Sequence, residues 1–270
     1  MTQPAARAPL RYAAFALWTL GAPALAFLAL APKDANEAGP AMLVLLLSPA
    51  LAGFVATRGL PTQPPGGPTL PAVGLAFGVM CAVITVSTLG AFAGGALVPT
   101  GSFVAAGALP GAITGLVTSS LEELGWGAGG ITLARRAFGP RVGVLSLGVL
   151  WAAWHLVVAA LAPPAVVLGM FGTEHPLAPA RVVAFIVGCV AFRILVTALR
   201  DRSNNVWPAV AAHATGNVLL GALVGSGVAR IDADGPWALF PGPTGLPFLL
   251  ATAAAAALLL RRDDPPRSAA

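Results

Sequence analysis

The sequence predicts an all-α integral membrane protein with about eight transmembrane helices and both termini in the cytoplasm. Composition is the first observation behind this fold class: 57% of the 270 residues are hydrophobic, 9% are charged, and the mean hydropathy is +0.84. Soluble domains carry about 25% charged residues, so the composition excludes a soluble fold. We expect residues 1–270 to form a single integral membrane domain.

The second observation is the set of apolar stretches. A helix needs about 20 apolar residues, each rising about 1.5 Å, to cross a hydrocarbon core of about 30 Å. The stretches that meet this need, within a few residues at each end, are 11–31, 41–57, 71–97, 110–134, 142–162, 181–199, 207–226 and 244–260. No convincing small-residue cleavage site follows the first stretch, so we expect a retained helix there rather than a signal peptide.

The third observation is the distribution of basic residues. With the N-terminus in the cytoplasm, Lys33, Arg181 and Arg230 fall outside and Arg193 falls within a helix. The remaining basic residues all fall inside: Arg7, Arg11, Arg58, Arg135, Arg136, Arg141, Arg200, Arg202, Arg261, Arg262 and Arg267. Because cytoplasmic loops carry an excess of Lys and Arg, this bias predicts that the N-terminus and the C-terminus both lie inside. Orientation and anionic lipid thus explain the net charge of +5, so we expect the lipid bilayer as a partner and no nucleic acid.

Two adjacent carboxylates, Glu122 and Glu123, lie in the fourth apolar stretch of a chain that has only 10 acidic residues. An ionisable group inside a bilayer costs several kcal/mol unless it is paired or used in chemistry, so the pair indicates a functional site. The alternative is a re-entrant bend that faces water. A run of glycines directly after the pair, from Gly125 to Gly130, is expected to loosen the helix locally.

Further polar residues interrupt later apolar stretches: His155 in the fifth, and His213 with Asn217 in the seventh. At about 1.5 Å per residue, these three residues and Glu122 all fall within about 5 Å of the bilayer midplane. They can therefore meet in one pocket. Each could instead be a hydrogen-bonding contact between helices, and the joint occurrence is what favours function.

Glutamate, two histidines and asparagine suit the hydrolysis of an amide by water. A carboxylate in an apolar pocket can take a proton from water, and a histidine can hold that water or protonate the leaving amine. The second histidine and the asparagine can donate to the oxyanion of the tetrahedral intermediate. One Glu and two His with an open position also match catalytic zinc. The residues leave both mechanisms open, so a divalent metal such as zinc stays an alternative and no cofactor is assigned.

Three motifs carry a family resemblance: Glu-Glu-Leu-Gly-Trp at 122–126, Trp-x-x-x-His at 151–155 and His-x-x-x-Asn at 213–217. In this order on separate helices, they resemble the CAAX protease and bacteriocin-processing (CPBP, or Abi) family of intramembrane endopeptidases. The similarity covers a core of about residues 105–226.

The resemblance implies an eight-helix membrane fold with Glu122 as the base that activates water, assisted by His155. It also implies that His213 and Asn217 stabilise the oxyanion and that Glu123 supports the site. The family has been described both as metalloproteases and as glutamate proteases, and we favour the glutamate mechanism. The expected substrate is a membrane-associated or prenylated peptide or protein, and the expected location is a bacterial plasma membrane.

One position departs from the family pattern. The first motif of the family normally ends in arginine, and this chain has Gly127 there, with Arg135 and Arg136 two turns or more away. The departure motivates an alternative function, a non-catalytic bacteriocin-immunity or scaffold protein of the same family. A proton-coupled transporter is a third hypothesis, but the two halves of the chain show no inverted repeat.

Overall fold

The structure, a computed structural model, describes residues 7–58, 70–171, 173, 175–232 and 235–261. These residues form an all-α fold, which confirms the predicted fold class. The α-helices, in chain order, are α1 Ala8–Leu30, α2 Gly39–Thr57, α3 Leu70–Ala93, α4 Ala105–Glu123, α5 Ile131–Phe138, α6 Pro140–Leu161, α7 Pro164–Phe171, α8 Pro179–Ser203, α9 Trp207–Gly225 and α10 Leu246–Arg261. A π-helix, Leu124–Gly130, joins α4 to α5, and Trp237–Leu239 form a short 3₁₀-helix.

Prolines mark where many of these helices begin. Proline occupies one of the first two positions of α1, α2, α6, α8 and α9. It lacks the N–H that would have no partner in the first turn, and its fixed φ already suits a helix. Glycine allows the sharp turn between α5 and α6, because Gly139 has φ +81°, a left-handed conformation that other residues rarely adopt.

Six described helices are long and apolar enough to cross a membrane: α1, α2, α3, α6, α8 and α9. They correspond to six of the eight predicted stretches. The eighth stretch forms α10, which has only 16 residues and therefore rises about 24 Å. The total of eight crossings and the cytoplasmic placement of both termini remain predictions.

The fourth predicted stretch, 110–134, is not one continuous α-helix. It is divided among α4, the π-helix and α5, and the break begins directly after Glu123. The π-helix contains four of the glycines that were expected to loosen this segment, and glycine is a weak helix former. Single π-helical turns inside longer helices occur often at functional sites.

Close packing against α2 explains why glycine occupies this break. A Cβ atom at position 129 would lie 2.7 Å from the Gly53 Cα of α2, and one at position 125 would collide with the backbone of Pro49. Small residues at such crossings let membrane helices approach closely. The π-helix is therefore held against α2 on one side, and the carboxylates that precede it occupy a fixed position.

The other helices that carry polar residues pack in the same way. Helix α9 crosses α4 at a second glycine, where a Cβ atom at Gly115 would lie 3.1 Å from the Asn217 backbone. Helix α6 crosses α8 at Gly148, where the Val190 Cα would lie 2.9 Å away. Outside the helices, strands β1 (Leu97–Pro99) and β2 (Ala229–Ile231) form an antiparallel pair that joins the segments after α3 and α9. This pair was not predicted.

Candidate active site

The five candidate residues lie on three helices, of which α4 and α9 pack together and α6 reaches them through the Trp151 side chain. Glu122 and Glu123 are the last residues of α4, His155 is on α6, and His213 and Asn217 are on α9. Both glutamates and His213 are buried, with exposed fractions of 5%, 0% and 4%. The structure therefore brings the predicted residues into one part of the interior.

Glu123 is held through both of its carboxylate oxygens. Oε1 lies 3.0 Å from His213 Nδ1, and Oε2 accepts a hydrogen bond of 2.9 Å from Arg193 Nη1 on α8. Arg193 and Glu123 are both fully buried, so the two form an ion pair inside the protein. Removing one partner of such a pair leaves a buried charge and typically costs about 3–5 kcal/mol.

Glu122 has a different environment, although it is the neighbour of Glu123. Its Oε2 accepts a hydrogen bond of 2.9 Å from Trp151 Nε1. Among the described residues its other oxygen, Oε1, accepts no hydrogen bond. One carboxylate of the pair is thus fully engaged by protein groups, while the other keeps an oxygen that can accept from water.

Trp151 contacts more residues of the candidate site than any of the five candidates does. Its indole ring meets the rings of His155 and His213 edge to face, with centroids 4.8 Å and 5.5 Å away. The guanidinium carbon of Arg193 lies 4.9 Å from the same ring. Sequence reasoning quoted Trp151 as part of a motif and gave it no role. An indole N–H in an apolar stretch was the available signal, since a buried Trp usually finds a hydrogen-bond partner.

His155 is oriented by its own helix. Its Nδ1 lies 2.9 Å from the carbonyl oxygen of Trp151, and because a carbonyl can only accept, Nδ1 carries the proton. The neutral ring therefore has an unshared electron pair at Nε2. Glu122 and His213 both lie within electrostatic range of this ring.

Asn217 is placed differently from the other four candidates. Its Nδ2 donates a hydrogen bond of 2.9 Å to Ser119 Oγ, one turn before Glu123 on α4. Ser119 is fully buried. The hydrogen bond joins α9 to α4 beside the carboxylates, and it gives Ser119 a role that the sequence did not indicate.

The backbone at Gly127 approaches the Glu123 carboxylate closely. A Cβ atom at position 127 would lie 2.5 Å from Glu123 Oε2, so any side chain there would displace the carboxylate. The carbonyl of Gly127 accepts a hydrogen bond of 2.6 Å from Arg200 Nε. Arg135 binds Asp201 through two hydrogen bonds and does not take the place of the family arginine.

The described side chains do not fit a metal ion. In the part of the chain that the structure describes, no three His, Cys, Asp or Glu side chains are placed to hold one together. Both imidazoles do place Nδ1 against an oxygen acceptor, as metal-binding histidines usually do. Histidines that accept a hydrogen bond from water at Nε2 need the same orientation.

Comparison with known proteins supports the family resemblance. Residues 104–219 match the model of the family described as Type II CAAX prenyl endopeptidase Rce1-like. The matched segment contains Glu122, His155 and His213 together with the π-helix. No curated protein matches the chain. The resemblance seen in the three motifs is thereby confirmed: residues 104–219 are similar to the Rce1-like CAAX endopeptidases of the CPBP family, a family of proteases.

Proposed function

We propose that this protein is an intramembrane endopeptidase that hydrolyses a peptide bond of a membrane-associated or prenylated substrate, with Glu122 as the base. The observation that carries the proposal is the cluster of Glu122, His155 and His213 around Trp151. Ionisable residues inside membrane segments are costly and usually functional. The family match supplies the reaction class, peptide hydrolysis.

Glu122 is better suited than Glu123 to act as the base. The Glu123 oxygens are taken by His213 and Arg193, whereas Glu122 Oε1 is available. In the proposed reaction Glu122 accepts a proton from water, and the water oxygen attacks the carbonyl carbon of the scissile bond. Proton transfer of this kind typically contributes about 10²–10⁴-fold to the rate.

His155 assists by binding the same water. Its Nδ1–H is directed at the Trp151 carbonyl, so Nε2 of the neutral ring accepts a hydrogen bond from water. The water is then held between an imidazole nitrogen and a carboxylate oxygen, and both favour loss of a proton. When the tetrahedral intermediate collapses, the proton held by Glu122 passes to the leaving amine.

His213 and Asn217 are proposed to stabilise the oxyanion. His213 presents Nε2, because its Nδ1 faces Glu123. It donates from Nε2 when the ring carries both protons, and its Nδ1–H then donates to Glu123 Oε1. Asn217 Nδ2 has a second hydrogen that can be donated besides the one given to Ser119. A donor to the oxyanion is typically worth about 3 kcal/mol.

The proposed partners follow from the family and from the helices. A protease of this class that is built from membrane-crossing helices takes a peptide substrate at the bilayer. We propose a bacterial plasma membrane as its location. The departure at Gly127 supports the second candidate function, a non-catalytic immunity or scaffold protein, in which this pocket would no longer cleave.

A cleavage assay on purified protein in liposomes separates the two functions. The substrate is a fluorogenic peptide with a prenylated cysteine near its C-terminus, and products are identified by mass. We expect cleavage by the wild-type protein, its loss in His155→Ala and its retention in His175→Ala, which changes an exposed loop histidine. Cleavage that survives in His155→Ala would contradict the role of His155, whereas no cleavage of any membrane peptide by the wild-type protein would favour the non-catalytic function.

A further inference from the structure

Two arginines of α8 contact the segment that carries the glutamates. Arg193 donates to the side chain of Glu123, and Arg200 donates to the carbonyl of Gly127. The two are seven residues apart, so they lie on the same face of α8, about 20° apart around its axis. Helix α8 therefore binds the end of α4 and the π-helix at two points.

Arg193 is the more costly of the two to bury. It is fully buried, and its Nε and Nη2 atoms have no hydrogen-bond partner in the described parts of the chain. A buried guanidinium that uses one of its donor groups in an ion pair contributes little net stability. Simple helix packing does not account for an arginine in this place.

Arg193 contacts a neighbour of the proposed base and a neighbour of the proposed oxyanion donor. Through its ion pair it holds Glu123, which faces His213 Nδ1. Through its position over the Trp151 ring it contacts the residue that donates to Glu122. The proposed base and the proposed oxyanion donor are thus each one residue away from the same guanidinium.

The backbone at Gly127 leaves space for this arrangement. Glu123 Oε2 lies where a side chain at position 127 would begin. The carboxylate can occupy that space and meet Arg193 only because position 127 has no Cβ atom. The first motif has Gly127 where the family has arginine, and Arg193 of α8 binds Glu123.

We propose that Arg193 is a positioning residue of the active site, a role that rests on the proposed function. It fixes the Glu123 carboxylate so that Glu123 accepts from His213 Nδ1 and leaves His213 Nε2 to face the substrate. A chain with glycine at position 127 thereby keeps an arginine-bound glutamate. Arg193 acts through Glu123 and does not touch the substrate.

Histidine NMR tests this role without any need for enzyme activity. The chain has three histidines, so protein labelled with ¹⁵N-histidine gives three sets of ring signals, which report the protonated nitrogen of each ring. In the wild-type protein we expect His213 to be protonated at Nδ1. We expect Arg193→Met to shift the His213 ring signals and Arg193→Lys to shift them in the same direction by a smaller amount. The control is Arg230→Met, which removes an exposed arginine. If the His213 signals are the same in folded Arg193→Met protein, the proposal is wrong.

Kinetics provide the second measurement, and they also cover the case in which Arg193→Met does not insert. We expect Arg193→Lys to lower kcat by about 10-fold or more with little change in KM, the size typical of losing a partner that orients a histidine. In a Glu123→Gln background the same change should have almost no effect, because Arg193 acts through Glu123. Effects that multiply independently would refute the proposal. If no peptide is cleaved, the proposed function fails, whereas the NMR result still decides the role of Arg193.

Discussion

Replacing Gly127 with alanine is expected to lower activity and, to a smaller extent, stability. The new Cβ atom would lie 2.5 Å from Glu123 Oε2, and ordinary van der Waals contact begins at 3.4 Å. The carboxylate must therefore move by about 0.9 Å, the difference between these two distances. If the movement lengthens the 2.9 Å bond from Arg193, the bond is lost, since donors beyond about 3.5 Å do not form a hydrogen bond.

The magnitude follows from the kind of bond that is disturbed. A hydrogen bond to a charged group contributes about 1.5–3 kcal/mol, which corresponds to a decrease in kcat of about 10- to 150-fold if the loss appears in the transition state. Alanine in a helix is more favourable than glycine by about 0.5–1 kcal/mol. The free energy of unfolding should therefore fall by about 0.5–2.5 kcal/mol, the hydrogen bond lost less the helix preference gained.

The assay compares Gly127→Ala with Gly78→Ala, which is the same substitution in α3 at a position with no neighbouring atom within 4 Å of the new Cβ. Cleavage of a prenylated peptide and thermal unfolding are measured for both variants. We expect a Gly127→Ala protein that is slow and somewhat less stable than wild type but still folded, and a Gly78→Ala protein with wild-type kcat. Full activity in Gly127→Ala would refute the account of Glu123, because it would show that the position of this carboxylate does not matter.

Three further predictions follow from other contacts. Trp151→Phe keeps a smaller aromatic ring but removes the Nε1–H that donates to Glu122, so we expect kcat to fall about 10-fold or more. An unchanged kcat would contradict a role for this bond. Gly129→Leu should lower the melting temperature or prevent folding, because a Cβ atom there would lie 2.7 Å from Gly53 Cα. The control is Gly21→Leu, where the new Cβ atom has no neighbour within 4 Å, and its melting temperature should stay within a few degrees of wild type. Treatment with a metal chelator should leave cleavage unchanged under the glutamate mechanism, and loss of activity that added zinc restores would support a metal mechanism instead.

Much of the fold could be predicted from the sequence because a bilayer imposes simple requirements. Apolar length indicates membrane helices, and six of the eight predicted stretches form helices that meet the length and composition needed. The break after Glu123 was harder to locate. Glycine composition indicates a weak helix, but the π-helical turn depends on how closely Gly53 of α2 approaches it.

The candidate residues could be predicted from their polarity, but their contacts could not. Helical spacing shows which residues share a face of one helix, and it does not show which helices are neighbours. The sequence therefore identified Glu122 and His213 as candidates, while the contacts of Trp151 and Arg193 depend on which side chains of α6 and α8 reach the end of α4. The sequence placed Arg193 within a helix without identifying its partner, and the structure pairs it with Glu123.

The most direct measurement is peptide cleavage by Glu122→Gln protein reconstituted in liposomes. Glutamine keeps the shape of the side chain and can still accept from Trp151, but it cannot accept a proton from water. The matched control is Glu37→Gln, which changes an exposed glutamate outside the helices. We predict that Glu122→Gln abolishes cleavage while the protein still inserts and unfolds at the wild-type temperature. Wild-type cleavage by Glu122→Gln would contradict the assignment of Glu122 as the base.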